Sequence, residues 1–250
     1  MPVHDFVHEL AALDGRLAEA VNCLAAVVLH HSPVAFDSSF SAEDMVVLDL
    51  IAEHQLPVEV FTLDTGRLPE ETQALIERAR THYGLTFRVM YPDTDRLEWF
   101  ARTEGANAFY RSVELRKRCC EIRKMEPLER ALAGRRGWIT GLRREQAVTR
   151  VNLEPLHWDD AHGLMKCNPL TDWSERDVWT YVRARGVPYS ELYDRGYRSV
   201  GCAPCTRAVT AAEDVRNGRW WWEGPENKEC GLHVNPVDHR VRQVASLATP

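Results

Sequence analysis

Val58-Glu-Val-Phe-Thr-Leu-Asp-Thr-Gly66 decides the fold class. Val58 to Leu63 is β-branched and apolar, the composition of a buried strand. Asp64-Thr65-Gly66 is a turn, and Pro69 stands where a helix can begin. That helix is expected to run to about Tyr83, with Gly84 as its cap and a further strand from Thr86 to Met90. Upstream, Leu10, Leu13, Leu17, Val21 and Leu24 give a helical spacing over residues 8–30, which Pro33 ends. Val34 to Phe36 reads as a strand, Ser38 to Ala42 as a loop and Glu43 to Glu53 as a helix. Two more strands are expected at Trp138–Gly141 and Leu164–Cys167. A helix opens after Ser174, with Asp177 three residues on in a near capping box. Strand, loop and helix at this spacing predict an α/β fold: a parallel sheet covered by helices on both faces.

From about Tyr189 the periodicity fails, and Gly, Pro, Arg and Trp dominate. The chain therefore divides into residues 1–188, an α/β unit that includes Cys119 and Cys120, and residues 189–250, a loop-rich C-terminal segment of the same domain that docks on the sheet. The length of 250 residues suits one large domain. The net charge of −6 argues against nucleic acid as a partner, which needs a basic field. There is no basic leader before an apolar run and no stretch of the ~20 apolar residues a membrane helix needs. A cytoplasmic protein with no membrane contact is expected. Seven cysteines in such a chain point to metal binding or reactivity rather than to structural disulfides.

Those cysteines carry the most specific chemistry. Cys202-Ala-Pro-Cys205 has the spacing by which two sulfurs grip one metal or cluster, although a redox disulfide uses it too. Cys119 and Cys120 are adjacent, so on a helix of ~3.6 residues per turn they point about 100° apart. They share one centre most easily if it is wide, as a four-iron cluster is. Lys124, four residues after Cys120, is expected on the same helical face as a nearby cation. Cys230, between Glu229 and His233 and downstream of Arg216 and Arg219, has cationic neighbours that favour a thiolate nucleophile. Cys23 and Cys167 fall in apolar segments and read as core residues.

Three strand ends offer polar groups, and ligands of open α/β sheets gather at strand carboxyl ends. Ser38-Ser39-Phe40-Ser41 precedes a helix, where N–H groups and hydroxyls suit a phosphate or sulfate. The same residues also read as a plain N-cap, with Ser41 bonding the first turn. Asp64, Thr65 and Gly66 either meet a ribose or base edge or simply form a tight turn. Arg143 and Arg144, after the Trp138 strand, have guanidinium forks that suit an anion.

Together these motifs resemble the assimilatory adenylyl-sulfate reductases of the PAPS/APS reductase family. The likeness runs from about Val34 to His233. It is carried by Lys117-Arg-Cys-Cys-Glu-Ile-Arg-Lys124, Gly201-Cys-Ala-Pro-Cys-Thr-Arg207 and Glu229-Cys-Gly-Leu-His233, with Leu63-Asp-Thr-Gly66 and Thr140-Gly-Leu-Arg-Arg144 in support. Relatives often carry glycine where this chain has Ser41. The resemblance implies an adenine-nucleotide α-hydrolase-like fold with a modified pyrophosphate loop. It implies thioredoxin-dependent reduction of adenosine 5′-phosphosulfate to sulfite and AMP, in sulfate assimilation and cysteine biosynthesis. Cys230 would be the nucleophile and form an S-sulfocysteine, with His233 tuning it. Cys119, Cys120, Cys202 and Cys205 would hold a [4Fe–4S] cluster, with Lys124 beside it. Ser38, Ser39, Phe40, Asp64, Thr65, Gly66, Arg143, Arg144, Arg216 and Arg219 would bind substrate. Thioredoxin or glutaredoxin would be the reductant, and assembly into homo-oligomers is left open. The rival readings are a relative that accepts the 3′-phosphorylated substrate, and a nucleotide-binding protein with a four-cysteine zinc site and no turnover.

Overall fold

The computed structural model describes residues 13–146, 150–210 and 212–224 of the protein. Cys230 and His233 lie outside the described residues. Six strands form one sheet: β1 (Val34–Asp37), β2 (Val58–Leu63), β3 (Arg88–Met90), β4 (Gly137–Ile139), β5 (Leu156–Asp159) and β6 (Leu164–Cys167). Their order across the sheet is β3-β2-β1-β4-β6-β5. Every neighbouring pair is parallel except β5 and β6, which run antiparallel with Leu156 opposite Cys167.

Seven helices surround this sheet among the described residues: α1 (Asp14–His31), α2 (Ala42–Glu53), α3 (Glu70–Tyr83), α4 (Thr94–Thr103), α5 (Val113–Cys120), α6 (Glu126–Leu132) and α7 (Glu175–Arg185). A π-helical turn, Glu121–Met125, joins α5 to α6. Side chains alternate across a strand, so β1 feeds both faces. Val34 and Phe36 enter a core shared with α1, α2, α3 and α7. Ala35 enters a smaller core with Phe61, Trp138 and Leu164, closed by Leu128 and Leu132 of α6. Both faces are covered, as the strand–helix alternation predicts.

The helix ends follow local chemistry. Ser41 caps α2 by accepting the Asp44 N–H, at 3.3 Å. Ser174 and Asp177 complete the capping box of α7. Gly84 ends α3 with φ +63°, a left-handed conformation that glycine adopts without strain. Cys23 and Cys167 are buried between α1 and β6, with their sulfurs 3.1 Å apart.

Three features depart from the sequence reading. The antiparallel edge strand β5 has no sequence counterpart above, because it is four residues long and only partly buried. The helix expected to run through Lys124 is interrupted: Lys124 lies in the π-helical turn Glu121–Met125, where i→i+5 bonds replace the α-helical ones. The C-terminal segment packs on helices as well as toward the sheet. Trp220 enters a third apolar cluster with Phe100, Phe109, Cys119, Ile122, Cys202 and Cys205.

One buried ion pair holds that segment in place. Arg116 of α5 binds Glu223 through two N–H···O bonds of 3.0 and 2.8 Å, and its guanidinium stacks 4.6 Å over the Trp220 ring. Both side chains are almost wholly removed from solvent. Glu223→Ala would remove the carboxylate from this buried ion pair, at a cost of roughly 3–5 kcal/mol. Denaturant unfolding should show a loss of that order, and an unchanged midpoint would show that the pair carries no weight.

Candidate functional site

The loop after β1 is built around one carboxylate. Asp44, in the first turn of α2, accepts the Ser39 N–H at 2.7 Å and the Ser39 hydroxyl at 2.6 Å. The Phe40 N–H donates to Ser38 Oγ at 3.2 Å. Phe40 has φ +56°, a conformation that costs a non-glycine residue about 1–3 kcal/mol. Burial and an edge-on contact with Phe87 at 5.3 Å hold it there. Ser41 has φ −65° and needs no glycine. Burial pushes the Asp44 carboxyl up to about 6, against the pull of its serine hydrogen bonds.

The loop after β4 touches the same carboxylate. A Cβ on Gly141 would collide with Asp44 Oδ1, so only glycine fits at this crossing. Arg143 is buried and already committed. Its Nε and Nη2 donate to Glu43 at 3.0 and 2.8 Å, and its Nη1 to Glu145 and the Trp173 carbonyl. Arg144 binds the Leu153 carbonyl and Asp172. The structure thus brings Arg143 to the serine loop through Glu43, whereas Arg144 ties its own loop to its surroundings.

The turn after β2 joins this region to the cysteines. Asp64 is buried, accepting from the Gly66 N–H at 2.8 Å and from Gln73 at 2.9 Å. Gly66 takes φ +69°. The Thr65 hydroxyl lies 3.2 Å from Cys202 Sγ, and the Thr65 carbonyl accepts from Arg123. The Ala203 N–H, inside the Cys-Ala-Pro-Cys turn, donates to the Arg67 carbonyl at 2.8 Å.

Cys119, Cys202 and Cys205 meet in the third apolar cluster, and Cys120 is half-buried at the end of α5. Burial pushes the Cys119 thiol up and the Cys205 thiol to about 11, and the neighbouring cysteines push in the same direction. Cations oppose this: Arg123 and Arg67 at Cys119, and Arg219 and Lys124 at Cys205. Arg219 is buried against Gly201, where a Cβ would strike its guanidinium, and stacks 4.8 Å from the Trp220 ring. It therefore stands beside the cysteines. Arg216 sits one turn earlier, in Val215–Gly218. Desolvated thiols ringed by cations ionise readily only when a metal takes the charge. That donor set fits a thiolate-held centre, and among the described residues no three His, Cys, Asp or Glu side chains converge on one metal ion.

Sequence reasoning missed Arg67, Arg123 and the full part played by Asp44. The signal for Arg123 was its position four residues after Cys119. Arg67 and Asp44 become visible only once the chain is folded.

Polar loops gathered at the strand ends of a mostly parallel sheet give the chain the ligand-binding edge of an open α/β fold. The model of the phosphoadenosine phosphosulfate reductase domain matches residues 33–208. A curated relative from Allochromatium vinosum, named adenosine 5′-phosphosulfate reductase, is 52% identical over 221 residues, covering 88% of this chain and 86% of its own. One of the same name from Burkholderia cepacia is 49% identical over 229 residues, covering 92% and 90%. Among solved structures, phosphoadenylyl-sulfate reductase from Candida auris in its phosphate complex superposes with TM-score 0.65 at 26% identity, covering 84% of this chain and 98% of that one. Yeast FAD synthetase in complex with FAD shares the fold at TM-score 0.58 and 12% identity, covering 96% and 87%. The chain belongs to the phosphoadenosine phosphosulfate reductase family.

Gly141→Ala tests the packing at the Asp44 crossing. Overpacking of this kind costs about 1–3 kcal/mol. Denaturant unfolding should show that loss, and full retention of stability would mean that the carboxylate can move aside freely.

Proposed function

We propose that this protein is an oxidoreductase acting on sulfur, which reduces adenosine 5′-phosphosulfate to sulfite and AMP through an S-sulfocysteine on Cys230. The observation that carries this reading is the junction at Thr65. There the strand-end turn expected to meet a nucleotide touches Cys202 directly and Cys119 through Arg123. The names of the curated relatives, at 52% and 49% identity, support the substrate.

The chemistry divides into two displacements. The Cys230 thiolate attacks the sulfate sulfur, the bond from that sulfur to the phosphate oxygen breaks, and AMP leaves with the electron pair. A thiolate of reduced thioredoxin, or of glutaredoxin, then attacks the Cys230 sulfur. Sulfite leaves, and the second thiol of the reductant closes its disulfide and regenerates Cys230. His233 tunes the nucleophile. Ser38, Ser39, Phe40, Asp64, Thr65 and Gly66 position the nucleotide. Arg143 acts by ordering Glu43 and the serine loop, Arg144 by ordering the loop after β4, and Arg216 and Arg219 balance the phosphosulfate charge.

Cys119, Cys120, Cys202 and Cys205 would hold a [4Fe–4S] cluster. When bound, it supplies rigidity and a local field rather than electrons for the displacement. Lys124, which acts on the Cys205 thiol, links that field to the substrate. The adjacency of Cys119 and Cys120 suits such a wide centre better than a single zinc ion. Four cluster cysteines also favour the substrate without a 3′-phosphate.

Cys230→Ser should keep its iron and its brown colour and release no sulfite; continued turnover would remove Cys230 from the mechanism. Anaerobically purified protein should contain iron and acid-labile sulfide in cluster proportions, and stoichiometric zinc in their place would contradict the assignment of the four cysteines.

A further inference from the structure

We propose that Asp44 is a proton-linked latch of the nucleotide site: its carboxylate holds the donors of the serine loop, and it takes up a proton as an anionic nucleotide binds. The inference rests on the nucleotide reading above and assigns to that site a positioning residue.

The geometry is specific. One oxygen of Asp44 takes both the Ser39 N–H and the Ser39 hydroxyl. Its other oxygen lies against Gly141 so closely that no side chain fits there. The loops after β1 and β4 therefore meet on one buried carboxylate, which is held by neutral donors. The charged and titratable groups around it come from every neighbouring element. Glu43 precedes it on α2 and adds to the upward push on its pKa. Arg143, from the loop after β4, spends its charge on Glu43 and Glu145. Tyr193, from the turn beyond α7, accepts the Ala42 N–H at 3.0 Å and feels Glu43, Asp44 and Glu175.

A nucleotide anion placed on this loop brings a second negative charge to a buried carboxylate. Like charges in a desolvated site favour the neutral acid. The carboxyl, already near 6 without ligand, is pushed higher by the anion. The protonated form is then the tighter binder. Affinity is full below about 6 and falls as pH rises through the ligand-bound range, by at most about tenfold per pH unit for one proton. A neutral carboxyl still accepts the Ser39 hydrogen bonds, so the loop keeps its shape.

Calorimetry in buffers of different ionisation enthalpy reads the proton directly. The probe is adenosine 5′-phosphosulfate, whose phosphosulfate does not titrate near neutral pH, and the protein is the cluster-loaded chain carrying Cys230→Ser to prevent turnover. Near pH 6, binding should take up as much as about half a proton through Asp44. Asp44→Asn in the same background should lose that uptake and show a flatter dependence of affinity on pH. Adenosine, which has no anion, should take up none. Zero uptake in the Asp44 protein overturns the latch whether or not the Asp44→Asn variant folds, and so does an uptake unchanged by that variant. If the phosphosulfate does not bind folded protein at all, the nucleotide reading fails and the latch fails with it.

Discussion

Thr65 sits where two parts of the protein must be fastened together. Its hydroxyl lies on the Cys202 sulfur, its carbonyl accepts from Arg123, and the adjoining Arg67 carbonyl takes the Ala203 N–H. The sheet supplies the first partner in each contact. The cysteine-bearing helix and the C-terminal segment supply the second. Each bond alone is modest, about 1 kcal/mol net, but the two at Thr65 are buried, where an unmade partner costs more than a made one gains. Without them the polar loops at the strand ends and the apolar pocket of thiols would be two separate features. With them, a change in charge among the cysteines is felt at the turn that ends β2.

The pocket itself is an electrostatic compromise. Phe100, Phe109 and Trp220 pack around Cys119, Cys202 and Cys205, and burial disfavours the thiolates of Cys119 and Cys205. Arg67, Arg123, Lys124 and Arg219 pull in the opposite direction. The π turn begins directly after the adjacent Cys119 and Cys120 and widens the helix there. The Arg116–Glu223 pair then fixes the base of the segment that leads on to residues 225–250. No helix among the described residues is long and apolar enough to cross a membrane.

Much of this was legible in the sequence because the signals were local. Pro69 and Gly84 bracket α3, Ser174 and Asp177 cap α7, and apolar runs mark β1, β2 and β6. The serine, Asp-Thr-Gly and Thr-Gly-Leu-Arg-Arg motifs all stand at strand ends, because a parallel sheet places such loops on one edge. What was illegible depends on partners distant in the chain. That Arg143, expected to meet an anion, binds Glu43 100 positions away cannot be read from the sequence. Asp44 reads as an ordinary helix-start acid until Gly141 is found against it. The π turn that carries Lys124 has no local sequence signal, because it depends on how α5 and α6 join. The edge strand β5 is only partly buried and so carries no apolar run to mark it.

The central claim is that a substrate sulfo group passes to one cysteine while four others build the site beside it. Intact and peptide mass spectrometry of the purified protein, mixed with adenosine 5′-phosphosulfate and no reductant, tests this most directly. The expected result is a single sulfonate on the Cys230 peptide that disappears when reduced thioredoxin is added. A chain that stays unmodified, or a sulfonate on any other residue, would contradict the account.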